Sequence, residues 1–220
     1  MPTGPLAYID GLADNVAPML AQLGAQVEHV AASDITDAVL ARFKVIVVGP
    51  RALEAQPALE KKMPALQAWV RNGGTMIVQY QQADIGKPGM APFPMTFARP
   101  AFRVTEEDAP VHILKPDSRL LTTPNRIEAT DWNGWVQERA TYMPTTADSS
   151  YTTVLGMRDP DEAENPNALL TAKIGKGTYV FTTLALFRQL PAGVPGAARL
   201  FVNILNAGGS APPPRRRPVP

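Results

Sequence analysis

The chain has 220 residues, 45% apolar and 19% charged, as in an ordinary globular protein long enough to bury a core. Its formal net charge of +1 falls by three, to −2, once Arg215, Arg216 and Arg217 are set aside. That leaves no dense basic stripe for a nucleic-acid-binding face, and the absence of cysteine excludes disulfides, thiolate metal sites and a cysteine nucleophile.

Residues 6–10 read as a short apolar strand ending in Asp10 and Gly11. Asn15 is placed to cap a helix over 16–23, which stops at Gly24. A second strand is predicted over 26–30, then a short helix capped by Asp34 or Thr36 and running to Phe43. Residues 44–49 (KVIVVG) are apolar on both faces, the pattern of a central parallel strand. A helix follows over 57–71, with Leu59, Met63, Leu66 and Val70 on one face. Gly73 and Gly74 end it before a fourth strand over 75–80. Four strand–helix alternations of this length imply a parallel sheet with right-handed crossovers.

Residues 83–110 are rich in proline and glycine and predict a long loop or lid without regular structure. A strand over 111–114 and a turn with a short helix over 116–127 follow. Residues 169–174 and 178–184 flank Gly175, Lys176 and Gly177, a hairpin turn with glycine at positive-φ positions. A last helix over 196–206 buries Leu200, Phe201, Ile204 and Leu205. Residues 207–220 are a Pro/Arg-rich stretch expected to be disordered, which leaves 1–206 as one domain.

No apolar run approaches the roughly 20 residues that span a bilayer. The first ten residues have neither a basic start nor an apolar segment, so no signal peptide is visible. Because the first strand begins almost at once, the chain is expected to be a module of a longer protein. Its compartment stays open, export within such a protein included.

In an open α/β sheet, ligands bind beyond the carboxyl ends of the strands, where strand order reverses. That rule groups Asp10, Asp14, Arg51, Tyr80 and Gln81, a set suited to a polyhydroxylated or carboxylate ligand. The alternative is that the two aspartates cap the first helix and Arg51 pairs with one of them. Trp132, Trp135, Gln137, Glu138 and Arg139 form the densest polar–aromatic cluster, suited to a sugar ring or a peptide. Here the alternative is buried tryptophans beside a structural Glu138–Arg139 ion pair. Arg188 and Gln189 follow another strand end and either complete the pocket or tie down the loop over 190–196.

Enzyme motifs are scarce. His29 and His112 are the only histidines and have no ligand partners nearby in sequence for a zinc site. None of Ser33, Ser118, Ser149, Ser150 and Ser210 lies in a Gly-x-Ser-x-Gly elbow. No Gly-x-Gly-x-x-Gly follows the first strand, and the GKGT at 175–178 precedes a strand where a phosphate loop opens a helix. The strand end that carries a nucleophile in many α/β enzymes carries Gln79, Tyr80, Gln81 and Gln82.

Residues 45–50 (VIVVGP), 68–80 (AWVRNGGTMIVQY) and 174–184 (IGKGTYVFTTL) together resemble the class I glutamine amidotransferase-like superfold in its trehalose-utilisation (ThuA-like) branch. Residues 8–17, 123–127, 134–139 (GWVQER) and 187–196 (FRQLPAGVPG) more narrowly resemble the C-terminal module of bacterial PIG-L-type (LmbE-like) deacetylase proteins. The resemblance reaches to about residue 206. It implies a three-layer, flavodoxin-like α/β domain: a parallel sheet with an antiparallel C-terminal hairpin. The amidotransferase triad is missing, since there is no Cys and no His after His112. ThuA-like proteins tend to carry a His where Gln79 and Tyr80 stand, and the deacetylase zinc motif is also absent.

The expected function is a non-catalytic accessory module of a carbohydrate-processing deacetylase system, with a glycan or a zinc-dependent deacetylase domain as partner and no cofactor. Truncation of Trp135 or Arg139 is then expected to weaken binding and spare the fold. The alternative is a ThuA-like enzyme acting on a sugar or amide, with Glu138 or Asp10 as base.

Overall fold

A computed structural model describes residues 1–209. The Pro/Arg-rich stretch expected to be disordered lies, from residue 210 on, outside the described residues. In chain order the strands are β1 (Leu6–Ile9), β2 (Val27–His29), β3 (Val45–Val48), β4 (Thr75–Gln79), β5 (Met95–Thr96), β6 (Phe102–Val104), β7 (Val111–Ile113), β8 (Ala140–Met143), β9 (Thr146–Ala147), β10 (Thr152–Met157), β11 (Asn165–Ile174) and β12 (Gly177–Thr182). The α-helices are α1 (Val16–Gln22), α2 (Asp37–Leu40), α3 (Ala52–Ala55), α4 (Ala58–Arg71), α5 (Arg119–Thr122), α6 (Leu186–Gln189) and α7 (Pro195–Leu205).

The main sheet has the order β2-β1-β3-β4-β12-β11-β10-β7. Its first five strands run parallel, and β11, β10 and β7 extend it antiparallel. Every residue of β1, β3, β4 and β12 is buried, as helices on both faces require. Alternate side chains build two cores. Leu6, Tyr8, Val47, Ile77 and Val180 pack under α1 and α7. Ala7, Ile9, Ile46, Val48 and Phe181 pack under α4 through Leu59, Met63, Leu66 and Val70. This is the three-layer α/β arrangement that the alternation predicts.

Local chemistry explains where several elements begin and turn. Thr36, not Asp34, caps α2, its hydroxyl accepting from the Val39 N–H at 3.3 Å. In the β11–β12 hairpin only Gly175 has a left-handed backbone, with φ 57°. Gly177 is required for a different reason: a Cβ there would stand 1.9 Å from the Val70 carbonyl oxygen. The hairpin therefore packs directly on the end of α4.

The Pro/Gly-rich segment 83–110 is more ordered than its composition predicts. It contains β5, paired with β9, and β6, paired with β8, and it buries Ile85, Met90, Met95 and Val104. Its partners lie about 40–50 residues ahead in sequence, so no local periodicity betrays them. Asp159 pins it further, accepting from the N–H groups of Thr105 and Glu106 and from the Thr105 hydroxyl. Partial burial pushes the Asp159 carboxyl up, but those N–H and O–H donors outweigh it and hold the group below its ordinary range. A carboxylate depressed on folding stabilises above its unfolded value of about 3.9 and loses that contribution as pH falls through the folded value. We expect the Thr105 and Glu106 amides to lose hydrogen-exchange protection below about pH 4 ahead of the core. The Asp159→Asn variant should flatten that acid limb. Unchanged acid behaviour in the variant would remove Asp159 from this role.

Candidate functional site

In the order β2-β1-β3-β4 the connections reverse direction between β1 and β3, so the crevice beyond their carboxyl ends is the favoured ligand position. Here the loops after those two strands pack onto each other. The Leu12 N–H donates to the Pro50 oxygen at 2.9 Å and the Gly49 N–H to the Ile9 oxygen at 2.8 Å. This contact fills the inner part of the switch point with backbone and displaces the open space outward.

Of the two aspartates expected to bind ligand, Asp14 serves this loop. Asp14 accepts from the Tyr8 hydroxyl at 2.8 Å, the Gly11 N–H at 3.0 Å and the Val16 N–H at 3.0 Å. It, not Asn15, supplies the acceptor at the start of α1, where Asn15 makes no side-chain cap bond. Burial raises the Asp14 carboxyl pKa, against the pull of those donors. Tyr8 is raised further, first by burial and then by Asp14. The Gln79 Nε2 donates to the Tyr8 hydroxyl at 3.0 Å. Asp10 faces outward and meets His29 Nδ1 at 2.9 Å.

Arg51 pairs with neither aspartate. Its guanidinium grips the Glu54 carboxylate, three residues on, at 2.6–2.9 Å. Gln81 is buried and stitches the β3 and β4 loops together, accepting from the Leu53 N–H at 3.0 Å and donating to the Gly49 oxygen at 2.8 Å. Gln189 is likewise buried and holds Val136 through both its N–H, at 2.8 Å, and its carbonyl, at 2.9 Å.

The polar–aromatic cluster divides. Trp132 and Trp135 are core residues with ring centres 5.4 Å apart, and the Trp135 indole donates to the Asp131 oxygen. Arg139 is buried against Trp135, its guanidinium carbon 5.6 Å from the ring centre, and donates to the Trp132 oxygen at 2.7 Å. Burial lowers its pKa, which the charge of Asp108 partly offsets. Glu138 does not pair with Arg139. It is buried between Arg103 at 2.5 Å and Arg188 at 2.9 Å. Two neighbours in sequence thus point into different surroundings.

What remains open is a crevice of about 400 Å³ lined by Ala13, Arg51, Tyr80, Gln137, Phe187 and Arg188, among others. Of the sequence-predicted residues, Arg51, Tyr80, Gln137 and Arg188 meet here, with Glu138 fixing Arg188 from behind. Asp10, Asp14, Gln81, Trp135, Arg139 and Gln189 lie outside the lining. Phe187 was missed in the sequence; its place just after a strand end and beside Arg188 was the available signal. Its ring lies 5.2 Å from Tyr80, and Tyr142 stacks on Tyr80 at 6.1 Å. The Arg188 guanidinium also donates to the Gln137 Oε1. Burial raises the Tyr80 hydroxyl pKa, while Arg51 and Arg188 draw it back. The phenol is therefore a protonated donor at neutral pH.

Backbone strain gathers at the same place. Among the described residues five non-glycines have φ between 49° and 65°. Ala13, Arg51 and Gln137 line the crevice directly, and Tyr142 supports its aromatic wall. Left-handed backbone at such residues costs on the order of 1 kcal/mol or more each and collects at functional sites.

Among the described residues no group of three or more His, Asp or Glu side chains could hold a metal ion, and no helix is long and apolar enough to cross a membrane. His112 pairs with Glu164.

No protein-family model matches the sequence, and no curated protein is similar to it at a significant level. Solved structures do match the fold. A ThuA-like protein from Bacteroides uniformis superposes with a TM-score of 0.62 at 11% identity, over 94% of this chain and 93% of that one. A GMP synthase subunit from Thermoplasma acidophilum gives 0.56 at 9% identity, over 94% and 95%. A β-galactosidase from Rahnella sp. R3 gives 0.56 at 14% identity, over 93% of this chain but 31% of the enzyme. At these identities the likeness is one of fold: the chain shares the three-layer α/β fold of these structures.

Proposed function

We propose that this chain is a ligand-binding, non-catalytic accessory module of a carbohydrate-processing system, with the Arg51–Tyr80–Arg188 crevice holding a hydroxyl-rich ligand such as a glycan. The observation that carries the reading is the convergence of left-handed Ala13, Arg51 and Gln137 on this one crevice. Its chemistry fits: an aromatic face from Tyr80 and Phe187, a phenol donor, an amide, and guanidinium groups at the rim. The stretches at 134–139 and 187–196, which resemble modules of PIG-L-type deacetylase proteins, both contribute lining residues, among them Gln137 from one and Phe187 and Arg188 from the other. On that basis we assign the partner system to the PIG-L type. The presence of the same fold within a β-galactosidase supports the carbohydrate setting.

Titration of the chain with monosaccharides and short glycans, followed by NMR or calorimetry, tests this. Tyr80→Phe and Arg188→Gln are expected to weaken binding about tenfold each, the ~1.4 kcal/mol of one well-placed hydrogen bond. Thermal stability should hold in Tyr80→Phe, whereas Arg188→Gln leaves the buried Glu138 carboxylate with Arg103 alone and should lower it. A wild-type chain that binds no glycan, or variants that bind as well as wild type, would overturn the assignment.

A further inference from the structure

A second pocket, of about 380 Å³, opens at the other end of the sheet, where β11 ends and β12 begins. Sheet register builds it. Thr152 of β10 stands opposite Thr171 of β11, and Lys173 of β11 opposite Thr178 of β12. The chain entering α5 brings Ser118 and Arg119 to the same pocket. The lining thus combines a guanidinium, an ammonium and a set of hydroxyls, and contains no carboxylate.

The two cations are not neutralised. Neither Arg119 nor Lys173 belongs to an ion pair among the described residues. The Arg119 Nε is buried with no hydrogen-bond partner. The Lys173 ammonium donates to the Thr178 hydroxyl at 2.7 Å, which leaves that hydroxyl's own hydrogen free to donate. Two carboxylates stand close in sequence to lining residues and both lie outside the lining: Asp117, beside Ser118, pairs with Lys115 at 3.5 Å, and Asp148 accepts from the Ser150 N–H at 2.8 Å. A buried N–H without an acceptor is costly, and a guanidinium is satisfied best by an anionic oxygen.

We propose that this pocket is an oxyanion site that binds a phosphate group through Arg119, Lys173 and the Thr178 hydroxyl. These donors approach from separate elements and so from different directions. A tetrahedral oxyanion presents acceptors in all of them, whereas one guanidinium fork already serves a planar carboxylate. The volume lies at the small end of ligand sites, enough for phosphate and a compact organic group. The site is separate from the crevice and stands whether or not the crevice binds glycans.

The test is a calorimetric titration of the full chain with inorganic phosphate, set against sodium chloride of equal ionic strength. Saturable binding at or below millimolar phosphate is expected. Arg119→Gln and Lys173→Gln should each weaken it about tenfold, the weight of one charge-assisted contact. Lys87→Gln, at an exposed cation outside both pockets, should leave it unchanged. Glycerol 3-phosphate separates the two sources of the group: tighter binding than phosphate assigns the remaining volume to an organic moiety, equal or weaker binding assigns the site to free phosphate. Uptake that follows ionic strength alone, or full affinity in both pocket variants, would overturn the proposal.

Discussion

Trp135→Ala is expected to cost about 3–5 kcal/mol of folding stability, the range for truncating a buried tryptophan. Trp135 is 3% exposed, packs against Trp132, and carries Arg139 on its ring face. Removing the indole opens a cavity in the core under α7 and strips the buried guanidinium of its aromatic partner. The indole N–H is also one of the bonds that hold the Asp131 carbonyl in place, and that carbonyl lies against Gly196 at the start of α7. Urea denaturation measures the loss directly. This replaces the sequence-based expectation that Trp135 or Arg139 can be truncated with the fold intact. A Trp135→Ala protein within about 1 kcal/mol of wild type would show that the indole is not a core element.

Gly11→Ala should be more damaging still, with a loss well beyond the roughly 1–3 kcal/mol of ordinary overpacking. A Cβ on Gly11 would lie 1.8 Å from the Pro50 carbonyl oxygen and 2.7 Å from the carbonyl carbon. No rotamer change relieves a clash with backbone, so the loops after β1 and β3 must separate. That breaks the Leu12–Pro50 hydrogen bond and displaces Ala13 and Arg51, two residues of the crevice. Thermal unfolding reports the first effect, and a glycan titration of whatever folded protein survives reports the second. Gly24→Ala serves as control: its φ of 91° carries conformational strain, but nothing lies within 4 Å of the added carbon. If Gly11→Ala and Gly24→Ala lose the same stability, close packing of the two loops is not what holds the switch point shut.

The architecture was legible where burial and periodicity coincide. Residues 45–48 are apolar without alternation, and the strand they form is buried on both sides. Leu59, Met63, Leu66 and Val70 recur at helical spacing, and all four face the sheet. The segment 83–110 was not legible, because its short strands are stabilised by residues 140–147, far along the chain.

The candidate site was legible in part. Strand ends drew attention to Arg51, Tyr80 and Arg188, and these do line one crevice. Partner choice was hidden. Arg51 takes Glu54, Glu138 takes Arg103 and Arg188, and Asp14 takes its own loop and Tyr8. Charge pairing depends on distances of a few ångströms between side chains brought together by the fold, which adjacency in sequence does not report.

The chain's own pattern of apolar residues, glycines and caps thus determined the layered α/β fold, since burial and backbone conformation are largely local demands. Only the tertiary structure decided that β12 inserts beside β4, that left-handed residues from three separate loops meet at one crevice, and that Arg119 and Lys173 share a pocket without a counter-charge. Those outcomes rest on non-local register and packing, and no stretch of the sequence contains both halves of any of them.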